Sequence, residues 1–411
     1  MKIIHSAPLD IEISPQLKYA GTERILLYLN QGLHEEGQTS VVAAPGNSNL
    51  GGYGSLFPTR LNHLWVAEGE NRKMVRSQDA YEEHYQKVLD YAKTKEFNII
   101  HDHPGQFMIA SQTYLSQKEK FNIPIITTTH EPTLAQGVEK GRNPEERQRQ
   151  RFETIRELQR KGFPIYFITL SQSHKREYEE VGLRVDAAIH NGIDTSILPL
   201  KKTKQDYLLW LGRICDYKGT DLAVQVAKRT GRPLIIAGEL HDLFIPEYEK
   251  KIKPHLTQII KGENAERERK SILERIVAGE DVVKEGEIKF IGPVNDKQKA
   301  ILYQNAVALL QPNRWKEAFG LVPVEAMTTG TPAIVTNTGA LPELIEDGKT
   351  GIIVNAFERG IINDEQIIQG TIAALDKISI IKPEDCRIHV ENKFSKERMT
   401  KDYLEFYRGV A

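Results

Sequence analysis

Residues 306–336 read AVALLQPNRWKEAFGLVPVEAMTTGTPAIVT. Two short apolar runs, Ala306–Leu310 and Ala333–Thr336, enclose a polar loop and a segment of helical character, Glu317–Met327. A strand, a helix and a second strand in this order form a βαβ unit, in which the strands are parallel and the helix covers the sheet. This stretch therefore predicts an α/β protein with a parallel sheet.

The same alternation of short apolar runs and longer amphipathic segments extends in both directions along the chain. It predicts helices that include Glu23–Glu36 and Gln78–Lys95. The predicted strands of the first half are Lys2–Ser6, Thr39–Ala44, Asn98–Asp102, Pro124–Thr128, Tyr166–Leu170 and Ala187–His190. In the second half the further strands are Tyr207–Leu211, Leu234–Ala237, Lys289–Ile291 and Gly351–Val354. Two doubly wound, Rossmann-like halves fit this pattern.

The length of the chain also favours two domains, because 411 residues exceed the roughly 100–200 that one domain usually holds. The segment Ser196–Lys204 has a proline and several lysines but no periodic apolar pattern, so we expect it to link the halves. The predicted domains are 1–197 and 205–392, and residues 393–411 form a last separate segment.

Charge and apolar content exclude several classes of protein. Lys and Arg number 55 against 56 Asp and Glu, so no overall basic field indicates a nucleic-acid partner. No apolar run approaches the roughly 18–20 residues of a membrane span, and the first residues lack a secretory apolar core. The only cysteines, Cys215 and Cys386, do not suggest a disulfide framework. We therefore expect a cytoplasmic protein.

Two segments are dense in charge. Glu139–Lys161 has more basic than acidic residues, which leaves open a weak peripheral contact with the inner face of an anionic membrane. Lys261–Glu287 has the character of a solvated helix face, and we assign no chemistry to it.

A cationic loop follows the predicted strand Tyr207–Leu211. It reads GRICDYKG over residues 212–219 and places Arg213 and Lys218 close together. A guanidinium fork and an ammonium suit a diphosphate, and ligands of parallel α/β sheets bind beyond the carboxyl ends of strands. The loop is therefore a candidate diphosphate site, although surface loops often have a basic pair.

Two glutamates, Glu317 and Glu325, lie eight positions apart in the stretch quoted first. On one helix they would be about two turns apart on nearly the same face, with Glu317 at the helix start. Each carboxylate can accept hydrogen bonds from neighbouring sugar hydroxyls. The alternative is that Glu317 stabilises the helix dipole and Glu325 is merely solvated.

These residues resemble the motifs of retaining, nucleotide-sugar-dependent glycosyltransferases of the GT-B fold, family 4 (group 1). The paired glutamates, the loop GRICDYKGTD and the continuation EAMTTGTPAIVTNTGALPELIEDGKTGIIV are similar to that family's donor domain. The N-terminal half agrees through YAGTERILLYLNQGLHEEG, NIIHDH, TTTHEP and HNGID. The closing KFSKERMTKDYLEFY resembles the family's last helix. The resemblance implies two Rossmann-like domains facing a central cleft, with the 393–411 helix crossing back to the N-terminal domain.

The resemblance also implies roles for single residues. Glu317 would hold hydroxyls of the donor sugar and Glu325 those of the ribose, while Arg213 and Lys218 would clamp the diphosphate. The other residues expected to bind the donor are Gly21 near the phosphates, Val294 against the base, and Phe319, Gly320 and Leu321 through their backbone N–H groups. The candidate catalytic residues are His130, Arg213, Lys218 and Glu317. His101 and His103 are weaker candidates for the site, and the alternative for His101 is that it caps the end of its strand.

The implied reaction is transfer of a hexose from a nucleoside-diphosphate sugar to a hydroxyl of a sugar, glycolipid or polysaccharide, with retention of configuration. A UDP-sugar is favoured over a GDP-sugar. Because the sequence has no Asp-x-Asp motif, we expect no metal and no other cofactor. Two alternatives stay open: a sugar-nucleotide epimerase or phosphorylase on the same fold, and a non-catalytic nucleotide-sugar-binding protein.

Overall fold

The chain folds into two packing units. The first consists of Met1–Ile193 with Lys396–Ala411, and the second of Asp194–Ser395. The computed structural model describes residues 1–16, 21–68, 71–74, 78–104, 122–130, 153, 155–240 and 242–411. The sequence predicts an N-terminal domain of residues 1–197, whereas the N-terminal part of the first unit ends at Ile193. The predicted linker Ser196–Lys204 belongs to the second unit, because Lys201 donates a hydrogen bond to Asn305 and Lys204 to the carbonyl of Thr329. Most of the basic stretch Glu139–Lys161 lies outside the described residues.

A parallel sheet of seven described strands forms the centre of the first unit, in the order β3-β2-β1-β6-β7-β8-β9. Its strands are β1 Lys2–Ser6, β2 Thr39–Pro45, β3 Ser55–Arg60, β6 Ile99–Asp102, β7 Ile125–Thr128, β8 Ile165–Thr169 and β9 Ala187–Ala188. A separate antiparallel hairpin is formed by β4 Trp65–Glu68 and β5 Asn71–Met74. The helices with described limits are α1 Gly21–Glu35, α2 Gln78–Thr94 and α3 Gln172–Glu180, and residues 155–160 are also helical.

Both faces of this sheet are covered. On one face Leu26 of α1 packs in a cluster with Val42 of β2. On the other, Tyr85 and Val88 of α2 pack in a cluster with Ile100 of β6. Strands buried on both faces read as continuous apolar runs, which is why these segments were recognisable in the sequence.

The second unit has the same plan, with described strands in the order β12-β13-β11-β10-β14-β15-β16, all parallel. These strands are β10 Leu208–Leu211, β11 Leu234–Ala237, β12 Gln258–Ile259, β13 Ile288–Phe290, β14 Ala308–Gln311, β15 Ala333–Thr336 and β16 Gly351–Val354. The small hairpin consists of β17 Phe357–Glu358 and β18 Ile361–Ile362. The helices are α4 Thr220–Thr230, α5 Ala265–Val277, α6 Asp296–Asn305, α7 Leu321–Thr328, α8 Leu341–Leu344, α9 Asp364–Leu375 and α10 Pro383–Lys393, besides irregular helical turns within 242–255.

Each sheet changes direction of winding beside its first strand: β1 lies between β2 and β6, and β10 lies between β11 and β14. At such a switch point the loops leave the carboxyl ends of neighbouring strands toward opposite faces, and a crevice opens between them. Both units therefore have a natural place for a ligand at one sheet edge. The predicted class, two doubly wound α/β domains, is confirmed.

The last helix, α11 Lys396–Val410, returns to the first unit and packs against α1. At this contact Gly32 is required, because a Cβ there would lie 2.0 Å from Oγ1 of Thr400. The backbone N–H of Lys396 also donates to the carbonyl of Ile193, 2.9 Å away. Within the described part of the chain, no helix has both the length and the apolar content to cross a bilayer.

The charged stretch Lys261–Glu287 contains the amphipathic helix α5, which has the predicted solvated, charged face and also a buried face. Ile272, Leu273 and Ile276 are buried on one side of α5. The guanidinium of Arg269 is also buried, and its Nε donates to the carbonyl of Ile291, 2.8 Å away. This helix is therefore part of the core of the second unit.

Candidate functional site

The loops after β10 and β14 meet at the switch point of the second unit. Gly219, at the end of the first loop, adopts φ +69°, and a Cβ there would lie 2.0 Å from the carbonyl oxygen of Pro312. The backbone N–H of Arg314 donates to the carbonyl of Tyr217, 2.9 Å away. Only a glycine permits this close approach, which brings the two predicted site loops side by side.

The contact places Lys218 directly against Glu317. Their ammonium and carboxylate groups form an ion pair, and both side chains are largely buried, with 22% and 11% exposed. Asn313 donates a second hydrogen bond to the same carboxylate oxygen over 2.8 Å. The Lys218 ammonium also lies over the ring of Trp315, 5.1 Å from its centroid. The predicted diphosphate cation and the predicted sugar-binding carboxylate therefore form one polar cluster.

Glu317 does not open a helix, so the prediction of two glutamates on one helix face is wrong. Helix α7 begins at Leu321, and its N-cap Gly320 has φ 111°, outside the helical range. Glu317 lies in the preceding loop, where its backbone is held from another part of the chain. A Cβ at Gly339 would lie 2.4 Å from the Glu317 nitrogen, and the N–H of Ala340 donates to the Glu317 carbonyl. This tertiary contact displaces the start of the helix.

Glu325 lies within α7 and has its own partners on α6. The Lys299 ammonium is 3.0 and 3.1 Å from its two oxygens, and the Tyr303 hydroxyl donates to Oε2 over 2.9 Å. A carboxylate can accept about four hydrogen bonds, so capacity for further donors remains. Sequence reasoning missed Lys299 and Tyr303, although their spacing of one helical turn on α6 could have indicated a shared face.

The other predicted donor residues lie at the same edge of the sheet. Arg213 is exposed in the loop after β10, and Val294 follows β13. Phe319 is buried, and its ring centroid lies 5.9 Å from that of Phe394. Gly320 and Leu321 begin α7, where the first N–H groups have no acceptor within the helix. These residues therefore lie in loops and at a helix start beyond the carboxyl ends of β10, β13 and β14.

Arg314 is a further residue that the sequence did not single out. Its guanidinium donates paired hydrogen bonds to Asp221 (2.9 and 2.7 Å) and to Asp364 (2.7 and 2.9 Å). It also donates to the carbonyl of Asp216, 2.6 Å away. Burial alone would lower the pKa of Arg314, but these carboxylates raise the pKa above its ordinary value. Arg314 therefore ties the two site loops to the first turns of α4 and α9.

Two predicted site residues belong to the first unit. Gly21 is the first residue of α1, rather than part of the preceding loop, and His130 follows β7. His5, His101 and His103 are buried nearby, and their ring nitrogens lie within 4.8 Å of one another, close enough to hold a metal ion. The hydroxyls of Tyr407 and Thr128 bond the two nitrogens of His101 at 2.6 and 2.8 Å. His101 therefore connects β6 to α11.

Two doubly wound α/β units in one chain are the architecture of the GT-B class of proteins, and a solved glycosyltransferase of this architecture matches the chain. Residues 19–197 match the family model described as Glycosyltransferase Family 4, and residues 198–364 match the one described as Glycosyl transferases group 1. The chain belongs to this family of glycosyltransferases, and the resemblance seen in its motifs is confirmed.

The curated relatives include a D-inositol 3-phosphate glycosyltransferase from Streptomyces scabiei, 37% identical over 71 residues, 17% of this chain and 16% of that protein. A relative from Klebsiella pneumoniae, described as an uncharacterized 41.2 kDa protein in the cps region, is 38% identical over 122 residues, 30% of this chain and 32% of that protein. The chain spans about a third or less of the length of the curated relatives it matches.

Two solved structures match over nearly the whole chain. Sucrose-phosphate synthase from Thermosynechococcus elongatus has a TM-score of 0.67 at 15% identity, covering 100% of this chain and 99% of that one. Anabaena Alr3699/HepE in complex with UDP-glucose has a TM-score of 0.65 at 15% identity, with 100% of both chains covered. At these identities the likeness shows the fold alone.

Proposed function

We propose that this protein is a retaining hexosyltransferase that uses a nucleoside-diphosphate sugar, with a UDP-sugar preferred. The acceptor is a hydroxyl of a sugar, glycolipid or polysaccharide. The observation that carries the proposal is the Lys218–Glu317 cluster at the switch point between β10 and β14. One cation for a diphosphate and one carboxylate for sugar hydroxyls are thereby joined where α/β sheets bind ligands.

The donor is held by complementary charges. Lys218 and the exposed Arg213 contact the diphosphate, and the first N–H groups of α7 add partial positive charge. Glu317 accepts hydrogen bonds from sugar hydroxyls, and Glu325 accepts them from the ribose. Because Lys218 pairs with Glu317 before ligand arrives, neither charge is left buried without a partner.

In the reaction, the bond between the anomeric carbon and the diphosphate oxygen breaks, and the acceptor oxygen bonds to the same face of that carbon. The acceptor proton passes to the departing phosphate. Negative charge grows on the diphosphate as its bond breaks, so Lys218, Arg213 and the α7 N-terminus stabilise the transition state. We propose that these groups suffice and that transfer needs no metal.

The GRICDYKGTD loop resembles the donor loop of the family and supports a nucleoside diphosphate, whichever its base. The proposed preference for UDP rests on the solved HepE complex, a protein of the same fold, which contains UDP-glucose. The acceptor rests on the family resemblance alone.

Calorimetric titration of UDP and GDP into the purified protein tests the donor site without any acceptor. We expect UDP to bind more tightly than GDP, and Lys218→Met to weaken binding of both. The control is Lys228→Met, which removes an exposed lysine from α4. Equal binding of UDP by both variants would contradict the assignment of Lys218.

Incubation of UDP-hexoses with a panel of simple glycosides in excess EDTA then tests the reaction. We expect UDP to be released only with an acceptor, and NMR of the product to show the donor's anomeric configuration. Epimerised donor, or turnover that needs inorganic phosphate, would instead identify the other enzyme classes. Activity that is lost in EDTA and restored by Mg²⁺ or Mn²⁺ would contradict metal independence.

A further inference from the structure

Three imidazoles form a continuous hydrogen-bonded chain in the first unit. Nδ1 of His5 lies 3.1 Å from Nε2 of His103, and Nδ1 of His103 lies 3.4 Å from Nε2 of His130. The ring centroids are 5.3 and 5.6 Å apart. His103 therefore uses both of its nitrogens, one toward each neighbour.

The chain of imidazoles runs across three adjacent strands at the edge of the sheet where ligands bind. His5 lies on β1, His103 follows β6 and His130 follows β7. His5 is paired in register with His101, and His103 is two residues further along, so these side chains share one face of the sheet. His5 and His103 are fully buried, whereas His130 at the end of the chain is partly accessible.

All three rings are neutral at physiological pH. Burial lowers the pKa of His5 and of His130 to about 3, and it holds the pKa of His103 well below its usual value. A neutral imidazole has one N–H and one lone pair, so each ring donates on one side and accepts on the other. The three protons must therefore all point in the same direction along the chain.

The unpaired nitrogen of His5 decides this direction. Its Nε2 is buried and has no hydrogen-bond partner among the described residues. A buried N–H without an acceptor is rarer than a buried acceptor without a donor, so the proton of His5 belongs on Nδ1. His5 then donates to His103, and His103 donates from its own Nδ1 to Nε2 of His130.

We propose that His5 and His103 are positioning residues that fix His130 in the Nδ1–H tautomer. In this state Nε2 of His130 is engaged, and Nδ1–H is the atom with which it can donate a hydrogen bond. If the proposed function holds, His130 acts toward the sugars as a donor to an oxygen and does not remove a proton.

A metal ion is the competing use of these histidines, and the observed contacts do not favour it. An ion would need lone pairs from His5, His101 and His103 directed at one point. Both nitrogens of His101 already contact the hydroxyls of Tyr407 and Thr128, and the contact between His5 and His103 occupies one nitrogen of each. The same atoms cannot serve both arrangements.

The tautomers can be measured directly by long-range ¹H–¹⁵N NMR on protein with ¹⁵N-labelled histidine at pH 7, with signals assigned from single His→Gln variants. We expect Nδ1–H patterns for His5, His103 and His130. An Nε2–H or doubly protonated His130 would overturn the proposal. So would a stoichiometric change of the His5 and His103 signals on adding Zn²⁺, because the ion would have taken their lone pairs.

Two variants test whether His5 and His103 set the tautomer of His130. His103→Leu removes the donor to His130, and His5→Leu removes the donor to His103, so each should shift His130 away from pure Nδ1–H. His255→Leu, on the surface of the second unit, should leave the His130 signal unchanged. An unchanged His130 tautomer in the folded His5→Leu or His103→Leu protein would overturn the proposal. If both variants fail to fold, the wild-type tautomers still decide.

The tautomer measurement needs no donor sugar, so its result is separate from the proposed reaction. Where transfer is observed, His103→Leu should lower kcat about 10–100-fold, the usual effect of losing an orienting partner, with little change in donor KM. Nδ1–H tautomers in a protein without transfer activity would contradict the proposed function but not the imidazole chain. Transfer activity in a protein whose His130 is in the Nε2–H tautomer would support the proposed function and contradict the imidazole chain.

Discussion

Lys218 shows how one side chain can be held ready for a ligand. Its ammonium contacts the Glu317 carboxylate on one side and the face of Trp315 on another. An ammonium over an aromatic face is stabilised without losing its charge, so the charge remains available to an anion. An arriving diphosphate can therefore bind Lys218 together with Glu317, or it can replace Glu317 as the partner of Lys218.

Substitutions at Lys218 and Glu325 should separate catalysis from binding. Lys218→Met should lower kcat roughly 10²–10³-fold, because charge on the leaving diphosphate builds only in the transition state. Glu325→Gln should mainly raise donor KM, by about tenfold, because the ribose contact is the same in both states. Steady-state kinetics measure the kcat and the donor KM of each variant, and Lys228→Met is the control. A wild-type kcat in Lys218→Met would disprove its role in leaving-group stabilisation.

Glu23, in the first turn of α1, should make stability depend on pH. Burial, together with the nearby charge of Asp10, raises its pKa from 4.5 to about 7 in the folded protein. The folded state therefore holds a proton that the unfolded state releases between these pH values, so Glu23 lowers stability as pH rises through this window. Over the whole window the free energy of unfolding falls by about 3 kcal/mol.

The comparison of Glu23→Gln with wild type in urea unfolding at pH 5 and pH 8 tests this. The glutamine variant should gain stability relative to wild type at the higher pH, by up to about 3 kcal/mol. Glu36→Gln, at an exposed position beyond the end of the same helix, should show no such difference. A difference between Glu23→Gln and wild type that does not change with pH would contradict the buried, protonated state.

At the level of elements, Arg314 holds the site loops in place. It joins the loop after β14 to the loop after β10 through the Asp216 carbonyl, and to α4 and α9 through Asp221 and Asp364. The hydrogen bonds from Arg314 lower the pKa of Asp364, so the carboxylate stays charged. The positions of Tyr217 and Lys218 therefore depend on Arg314 and on α9, both of which are far away in sequence.

Arg314→Met should be strongly destabilising, by about 3 kcal/mol or more, because it leaves the largely buried carboxylate of Asp221 without its cation. The matched control is Arg229→Met. Arg229 also makes a paired contact, with Glu365, but both side chains are exposed by 37% and 58%. Its loss should cost less than about 1 kcal/mol. If chemical denaturation shows that both variants lose the same free energy of unfolding, the burial of Arg314 does not account for its contribution to stability.

At the level of the whole molecule, the two units differ in how they should respond to acid. Five histidines whose pKa burial depresses strongly belong to the first unit: His5, His84, His101, His103 and His130. Their folded pKa lies below the unfolded value of 6.5, so the unfolded state takes up protons first. Their contribution to stability is therefore present above about pH 6.5 and is lost as pH falls toward 3.

We expect the first unit to open before the second as the solution is acidified from pH 7 to 5. Each histidine contributes up to about 1.4 kcal/mol per pH unit to this difference. Hydrogen exchange measured by mass spectrometry, corrected for intrinsic rates, should show earlier loss of protection in β1, β6 and β7 than in β10, β14 and β15. Simultaneous loss in both units, or earlier loss in the second, would contradict the assignment of acid sensitivity to the buried histidines.

The sequence by itself determined the architecture. Buried parallel strands are continuous apolar runs, and the ends of β11, β15 and β16 agree with the predicted limits. Short or interrupted strands were missed, because β3 contains Pro58 and lies at the sheet edge, and β12 has two residues. Such strands depend on a neighbour for their hydrogen bonds rather than on their own pattern.

The candidate site was named from its motif, but its geometry was decided by tertiary structure. The approach of Gly339 fixes Glu317 outside the helix, α6 supplies the partners of Glu325, and three strands bring His5, His103 and His130 together. Hydrophobic periodicity reports only which face of an element is buried. Which polar groups meet depends on contacts between segments far apart in sequence, and these exist only once both sheets have formed.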